Sequence, residues 1–149
     1  MENSNKKLVI GCDHAGFQLK EYLKDILTIQ GYDVQDFGTN SEASVDYPDY
    51  VHPLATFIEN NQDIKGILIC GSGIGVSISA NRHKGVRAAL CWNIEVAAMS
   101  RRHNNANIIC LPARYLTAEH AEKIVEVFLS TPFDGGRHET RVNKIEIAQ

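Results

Sequence analysis

A cysteine immediately precedes a glycine-rich stretch in this sequence, where Cys70 opens the run CGSGIG. The alternating glycines at 71, 73 and 75 let backbone N–H groups converge, which suits an anion or an oxygen that becomes negative. Donors of this kind favour a thiolate, which could act as a nucleophile or a general base. The structural alternative is a tight strand-to-helix turn beside a buried cysteine.

The glycine stretch does not match the common phosphate-binding fingerprints. The dinucleotide pattern requires a third glycine where Val76 stands, and it requires an acid after the next strand, which ends at Cys91. A P-loop requires Gly-Lys-Ser/Thr, which is absent here. A thiol phosphatase with the pattern C-x5-R would need arginine at position 76. The chemistry must therefore be inferred from the residues that accompany the thiol.

Three further pairs of polar residues could take part in chemistry: Asp13 with His14, His103 with Asn104, and Arg137 with Arg141. A carboxylate and an imidazole at a strand end are costly unless they are used or paired. Two arginines four residues apart share a helix face and suit a phosphate monoester. The structural alternatives are helix capping by Asp13, dipole complementarity at a helix end for His103, and a solvated face for the arginines.

The elements that must position these residues alternate along the chain. Short apolar runs predict strands at 6–13, 32–38, 64–71, 86–91 and 107–114. Helical spacing and capping signals predict helices at 17–31, 50–60, 75–85, 94–104, 117–130 and 135–149. This order predicts an α/β fold with a five-stranded parallel sheet. Ligands bind at the carboxyl ends of such strands, so we expect residues 11–16, 70–75, 101–105 and 112–114 to lie together.

Composition narrows the class of protein. The chain has 149 residues, 44% of them hydrophobic, which is enough for a core without disulfides. The net charge of −3, without long runs of one sign, argues against nucleic acid or an anionic membrane as the main partner. No apolar window reaches the length of a membrane span or a signal peptide. The four cysteines lack metal-ligand spacing. We expect a soluble cytoplasmic protein.

Five motifs together resemble the RpiB/LacAB family of sugar-phosphate isomerases. They are GCDHAGFQLK, DYPDY, ILICGSGIGVSISANRHKGVRAAL, SRRHNNANI and GGRHETRV, and they follow the family order over nearly the full chain. The resemblance implies one isomerase domain over residues 1–149, with a Rossmann-like three-layer α/β/α sandwich. It also implies a homodimer or a dimer of dimers whose active sites are shared between subunits.

The same resemblance implies an aldose–ketose isomerase of the pentose phosphate pathway. The expected reaction interconverts ribose 5-phosphate and ribulose 5-phosphate through a cis-enediolate, with no metal and no cofactor. Other members of the family act on six-carbon sugars, so allose 6-phosphate or galactose 6-phosphate isomerisation is the alternative.

Residue roles follow from the match to the family motifs. Cys70 would be the general base, Ser72 would bind the sugar oxygens, and His103 and Asp13 would assist ring opening. The groups expected to bind the enediolate oxygens are the backbone of Gly71, Gly73, Ile74 and Gly75 and the side chain of Asn104. The groups expected around the phosphate are His14, Arg114, Arg137 and Arg141. Tyr47 would line the sugar pocket, and Cys12 is interpreted as structural.

Two other classes of function are compatible with parts of the sequence. A phosphate-binding module on the same sheet would bind without turnover and would leave Cys70 and His103 without a role. A cysteine hydrolase would pass through a covalent intermediate on Cys70. A redox role for Cys70 lacks a resolving partner in the sequence.

Overall fold

Five parallel strands form the centre of the molecule in a computed structural model that describes residues 6–147. The strands are β1 (Lys7–Cys12), β2 (Asp33–Asp36), β3 (Lys65–Cys70), β4 (Ala88–Leu90) and β5 (Ile108–Pro112). Their order is β2-β1-β3-β5-β4, and every neighbouring pair is parallel. The predicted five-stranded parallel sheet is therefore confirmed.

Six α-helices accompany the sheet in this part of the chain. They are α1 (Phe17–Ile29), α2 (Pro48–Glu59), α3 (Ile74–Ala80), α4 (Ile94–Asn104), α5 (Ala118–Ser130) and α6 (Arg137–Asn143). Buried residues of α1, α4 and α5 form one apolar cluster with the sheet, and buried residues of α2 and α3 form a second. Helices thus cover both faces, which confirms the three-layer α/β/α sandwich.

The two apolar clusters follow the alternation of side chains along the strands. Ile67 and Ile69 of β3 face the cluster beneath α1 and α5, whereas Leu68 and Cys70 face the cluster beneath α2 and α3. Successive strand residues point to opposite faces, so a strand buried on both sides is a continuous apolar run. This register places the Cys70 side chain on the α2–α3 face.

The order of the strands reverses beside β1, which has β2 on one side and β3 on the other. At this switch point the backbone N–H of Asp13 donates to the carbonyl of Ile69 (3.2 Å). The loops that follow β1 and β3 are therefore held side by side. A crevice between such loops is the usual ligand site of an open α/β sheet.

Two helices, α3 and the C-terminal helix, are much shorter than the sequence predicts. α3 ends at Ala80 because the Asn81 amide binds both backbone groups of Ala88, accepting from its N–H (2.8 Å) and donating to its carbonyl (2.9 Å). The C-terminal helix begins at Arg137, because two positive-φ glycines precede it, and ends at Asn143. Residues 148–149 of that prediction lie outside the described residues.

The helix α2 continues through Pro53, although proline usually kinks or ends a helix. Proline removes one backbone hydrogen bond from a helix interior. The apolar face that α2 buries on the sheet compensates for it, with Val51, Leu54 and Ile58 each at most 1% exposed. Within residues 6–147, no helix combines the length and the apolar character needed to cross a membrane.

Candidate active site

A cleft of about 500 Å³ opens at the carboxyl edge of the sheet, at the switch point between β1 and β3. The side chains that line it and could do chemistry are Asp13, His14, Tyr47, Cys70, Ser72 and Arg114. Three of the four segments expected at this edge, 11–16, 70–75 and 112–114, supply all of these except Tyr47, which is the residue just before α2. The sequence-predicted site is thus assembled here in large part.

Cys70 lies at the floor of this cleft, with only 5% of its surface exposed. Its Sγ accepts a hydrogen bond from the backbone N–H of Gly73 across 3.2 Å. Gly73 has φ of +74°, so the chain turns back over the sulfur in a conformation that glycine adopts readily. The turn therefore aims a fixed donor at the thiol.

The glycine loop leaves some of its donors unoccupied. The N–H of Ile74 donates to Ser72 Oγ (3.2 Å), so this donor and that of Gly73 are used within the loop. The N–H groups of Ser72 and Gly75 make no hydrogen bond within residues 6–147. Two open donors beside the cysteine can bind an anionic oxygen in the cleft.

Two glycines of the loop allow other site residues to approach closely. A Cβ on Gly71 would lie 2.8 Å from the Arg114 guanidinium, and a Cβ on Gly75 would lie 2.6 Å from the Tyr47 ring. The N–H of Arg114 also donates to the carbonyl of Gly71 (3.0 Å). These glycines are therefore needed for the shape of the cleft.

The strand end after β1 supplies a carboxylate and an imidazole. Asp13 Oδ1 accepts from the N–H groups of Ala15 (2.9 Å) and Gly16 (3.2 Å), so it caps the following 3₁₀ turn, as the structural alternative predicted. Asp13 Oδ2 makes no hydrogen bond within the described chain. His14 Nδ1 accepts from the N–H of Val45 (3.1 Å), which places the ring proton on Nε2 in the neutral form.

The prediction that residues 101–105 share this edge is wrong. His103 and Asn104 end α4, which leads from the carboxyl edge back to the start of β5 at Ile108. Pro112, at the far end of β5, is the residue that pairs with Cys70. Four strand residues separate these ends by about 13 Å. A helix between two parallel strands must run antiparallel to them, so its last residues lie at the opposite edge.

A second cleft, of about 350 Å³, gathers residues of α4 and α6 at that opposite edge. It is lined by His103, Asn104, His138 and Arg141, with Val142 and Ile145. The rings of His103 and His138 stack with centroids 4.2 Å apart and planes 9° from parallel. Desolvation, then the nearby charge of His103 and of the two α6 arginines, lowers the pKa of His138. Arg137 and Arg141 have no ion pair within residues 6–147.

The other three cysteines are buried in the core and do not line the first cleft. Burial raises the pKa of Cys12 to about 12 and that of Cys91 to about 11, and it raises that of Cys110 well above its ordinary value. All four cysteines are free thiols. The interpretation of Cys12 as structural stays a prediction, and its Sγ contacts the carbonyl of Thr39 at 4.0 Å.

A buried ion pair supports the loop behind the first cleft. The Nζ of Lys20, a residue with no exposed surface, lies 2.8 and 2.7 Å from the two oxygens of Asp36. Asp36 also accepts from Lys24 and from the N–H of Gly38 (2.8 Å). Burial alone would raise the pKa of Asp36, but the hydrogen bonds from Lys20, Lys24 and Gly38 lower it below its usual value.

Sequence reasoning missed the contribution of His138, Asp134 and the Lys20–Asp36 pair. His138 stands between the two α6 arginines in GGRHETRV, and its position there was the available signal. Lys20 falls on the apolar face of α1 between Leu19 and Leu23, where a charge requires a buried partner. The sequence did not show which acid would provide it.

Proteins of known family are similar to this chain. The sequence profile of the family described as Ribose/Galactose Isomerase matches residues 8–145. Ribose-5-phosphate isomerase B of Escherichia coli K12 is 41% identical over 140 residues, which cover 94% of each chain.

Solved structures are similar over nearly the whole chain. A ribose 5-phosphate isomerase from Thermotoga maritima has a TM-score of 0.92 at 54% identity, covering 95% of this chain and 98% of that one. Ribose-5-phosphate isomerase B from Mycoplasma genitalium, solved with bound ribulose-5-phosphate, has a TM-score of 0.90 at 42% identity, covering 93% of each chain.

Proposed function

The chain belongs to the ribose/galactose isomerase family, and from that membership we propose that it interconverts D-ribose 5-phosphate and D-ribulose 5-phosphate. The observation that carries the proposal is the cleft at the β1–β3 switch point, where a buried thiol lies beside open backbone donors. Its relatives named for this activity, one of them solved with the product sugar, support the choice of a pentose phosphate.

Cys70 is the base of the proposed reaction. Its thiolate removes the proton from C2 of the open-chain aldose, and the electron pair passes to the C1 carbonyl oxygen to give a cis-enediolate. Cys70 returns the proton to C1, and the C2 hydroxyl gives its proton to O1, which leaves a carbonyl at C2 and a hydroxyl at C1, the ketose. Ser72, whose Oγ already accepts from Ile74, keeps its hydroxyl proton free to move between the two sugar oxygens.

The open N–H groups of Ser72 and Gly75 stabilise the oxyanion of this intermediate. Gly71, Gly73 and Ile74 complete the loop that holds these donors in place. Donors that are fixed before the charge develops lower the barrier, and the loss of one typically costs about 3 kcal/mol.

The opposite edge of the molecule supplies the remaining groups from a second copy of the chain. His103 assists ring opening with Asp13, and Asn104 supports the enediolate oxygens. His14, through Nε2, and Arg114 bind the phosphate from one subunit, and Arg137 and Arg141 bind it from the other. The separation of the two clefts supports such a shared site, and hence a homodimer or a dimer of dimers.

Residues 1–149 act as one catalytic domain in this proposal, and Tyr47 lines the sugar pocket against Gly75. The reaction needs neither a metal nor a cofactor, because the proton transfers involve only side chains and backbone donors. The four free thiols fit the reducing cytoplasm, where we place the enzyme in the pentose phosphate pathway.

The deciding experiment is steady-state kcat/KM on ribose 5-phosphate, allose 6-phosphate and galactose 6-phosphate, measured in EDTA. We expect clear preference for the pentose and a rate that prolonged chelation does not lower. Preference for a hexose would overturn the substrate and keep the reaction class. Binding of ribose 5-phosphate without turnover of any sugar would favour the phosphate-binding module.

A further inference from the structure

Three metal-ligating side chains meet beside the second cleft, which two of them, His103 and His138, line, and only His103 has a role in the proposed reaction. His103, Asp134 and His138 each offer one ligand atom, and these atoms all lie within 4.8 Å of one another. The three residues come from the last turn of α4, from the segment between α5 and α6, and from the second position of α6. Their meeting depends on the packing of α6 against α4.

The backbone holds these segments in register. The N–H of Asp134 donates to the carbonyl of Arg102 (3.0 Å), the residue before His103. The rings of His103 and His138 stack between the same two helices, and metal binding would exchange this stack for two metal–nitrogen bonds. The side chains themselves are at the surface, since Asp134 is exposed and both histidines are half-buried. They can therefore rotate without disturbing the core.

The donor set selects the kind of ion. Two imidazoles and one carboxylate suit zinc and similar transition metals, with water in the fourth position, whereas Mg²⁺ and Ca²⁺ prefer oxygen ligands. Ligands about 2.1 Å from a tetrahedral ion lie about 3.4 Å apart. The present atoms lie within 4.8 Å of one another, so modest side-chain rotation would complete the site.

Positive charges near the cluster limit the choice further. Arg102 Nε lies 3.6 Å from Asp134 Oδ2, while Oδ1 has no hydrogen bond or ion pair within residues 6–147. The α6 arginines lie close enough to influence His138. These charges oppose a weakly held hard cation, and only an ion that forms strong bonds to imidazole nitrogen overcomes them.

We propose that His103, Asp134 and His138 bind a divalent transition-metal ion of the zinc class, and that the bound ion inhibits the isomerase by occupying His103. The inhibition rests on the proposed function, whereas the binding does not. A metal at this site is not needed for the reaction, because it removes a group that ring opening uses.

Calorimetric titration of the full-length protein with ZnCl₂, and the visible absorption of added Co²⁺, test the binding. We expect one ion per chain in the wild type. Asp134→Asn and His138→Gln should each weaken binding by at least about tenfold. Thermal unfolding in EDTA checks that both variants are folded.

Two control variants test whether zinc binds at side chains outside this site. Zinc could also bind the Cys70 thiolate, so Cys70→Ser must retain the binding of the wild type. His120→Gln changes a half-buried histidine on α5 and must retain it as well. Unchanged binding in Asp134→Asn and His138→Gln, or its loss in either control, would overturn the site.

Turnover of ribose 5-phosphate in increasing Zn²⁺ tests the inhibition. We expect zinc to abolish turnover and EDTA to restore it. The variant His138→Gln should need at least about ten times more zinc for half-inhibition. Full turnover with the site loaded would overturn the inhibitory role. If no sugar is turned over even in EDTA, the proposed function fails, and the titration still decides the metal site.

Discussion

Cys70 and His103 lie at opposite edges of the sheet. Cys70 ends β3 beside Pro112, the last residue of β5, whereas His103 precedes the first residue of β5 by five positions. The interior of the sheet separates the thiol of one cleft from the imidazole of the other. One chain therefore cannot bring both groups to one small sugar, and two chains packed edge to edge can.

The first prediction concerns complementation between defective subunits. Cys70→Ala and His103→Ala should each be inactive alone, because every site in either homodimer lacks one group. Refolding the two chains together gives mixed dimers with one intact site and one doubly defective site. Random pairing then restores about a quarter of wild-type kcat per chain.

A matched mixture of Cys70→Ala with Ser72→Ala measures the background activity expected without complementation. Both changes fall in the same cleft, so no mixed dimer contains an intact site. Sedimentation must show that the mixed species are dimers or larger. If the Cys70→Ala and His103→Ala mixture stays at this background, the site is not shared between subunits.

The second prediction is that alkylation selects Cys70. It alone of the four cysteines lines the first cleft, and burial raises the pKa values of Cys12, Cys91 and Cys110, so that very little of their reactive thiolate form is present even in mild alkali. Iodoacetamide at pH 8 should modify one cysteine per chain, and activity should fall in proportion to the fraction of chains modified. Peptide mass mapping identifies the site, and ribose 5-phosphate should slow the reaction.

Full activity after complete modification of Cys70 would show that it is not the base. The variant Cys70→Ser tests the same role without added bulk. It should lose at least about 10²-fold in kcat while KM changes little, because a hydroxyl is a poor base at neutral pH.

The sequence predicted the sheet and most of the first cleft because both depend on local signals. Apolar runs such as ILIC define buried strands, and the residues that follow parallel strands must meet at one edge. The position of His103 follows from the direction of α4, and it was predicted at the wrong edge because the carboxyl-edge rule was applied to a segment that precedes a strand.

The Lys20–Asp36 pair and the His103–His138 stack were less accessible to sequence reasoning. Both join elements that are distant in the chain, α1 with the end of β2 and α4 with α6. The end of α3 was also missed, because it depends on the contact of Asn81 with the edge strand. Contacts of this kind depend on how elements pack and leave no periodic pattern.

The third prediction tests the close approach of Arg114 to the glycine loop. In Gly71→Ala, the new methyl group lies about where the guanidinium now packs, 2.8 Å away, and the flexible arginine must move. Displacing one charge-assisted phosphate contact should raise KM about tenfold with little change in Tm. Steady-state kinetics and thermal unfolding measure both.

Arg114→Ala provides the control for this displacement. It should raise KM by a similar amount, and Gly71→Ala should add little to it, since both changes remove the same contact. Additive effects in the double variant would mean that Gly71 acts on the substrate independently of Arg114.

The fourth prediction concerns the buried ion pair. Asp36→Asn removes the closer and less exposed of the two carboxylates that pair with buried Lys20 and leaves only that of Glu21, at 3.2 Å, which should lower the free energy of unfolding by about 1–3 kcal/mol. Asp33→Asn makes the same change on the same strand in an exposed pair with Lys7 (3.7 Å) and should cost less than about 1 kcal/mol. Urea unfolding at pH 7 compares the two variants.

The pH dependence of this pair has a definite sign. The pKa of Asp36 is lowered in the folded state, so its contribution to stability is present above the ordinary carboxyl pKa of 3.8 and is lost as the pH falls through the lower folded value. The wild type should therefore lose more stability between neutral pH and acid than Asp36→Asn. Parallel pH profiles would assign the acid sensitivity to other carboxylates.

The fifth prediction uses the raised pKa of Cys12 at the opposite end of the pH scale. Folding raises this pKa from 9.0 to about 12, so the folded chain keeps a proton that the unfolded chain releases. The resulting stability is complete below pH 9.0 and is lost as the pH rises toward about 12. In Cys12→Ala, the free energy of unfolding should fall less steeply above pH 9.0, by about 1.4 kcal/mol per pH unit.

The slope of the free energy of unfolding against pH reports the ionisation of the thiol. Packing lost in any core substitution lowers that free energy at every pH and leaves the slope unchanged. Ile10→Val deletes a buried methyl group on the same face of β1 and should cost about 0.5–1.5 kcal/mol with the wild-type slope. Urea unfolding from pH 8 to pH 11 measures both quantities for each variant. Because Lys24 and other groups also titrate there, only the difference in slope between Cys12→Ala and Ile10→Val reports on the thiol, and equal slopes would show that Cys12 ionises without opposition from the fold.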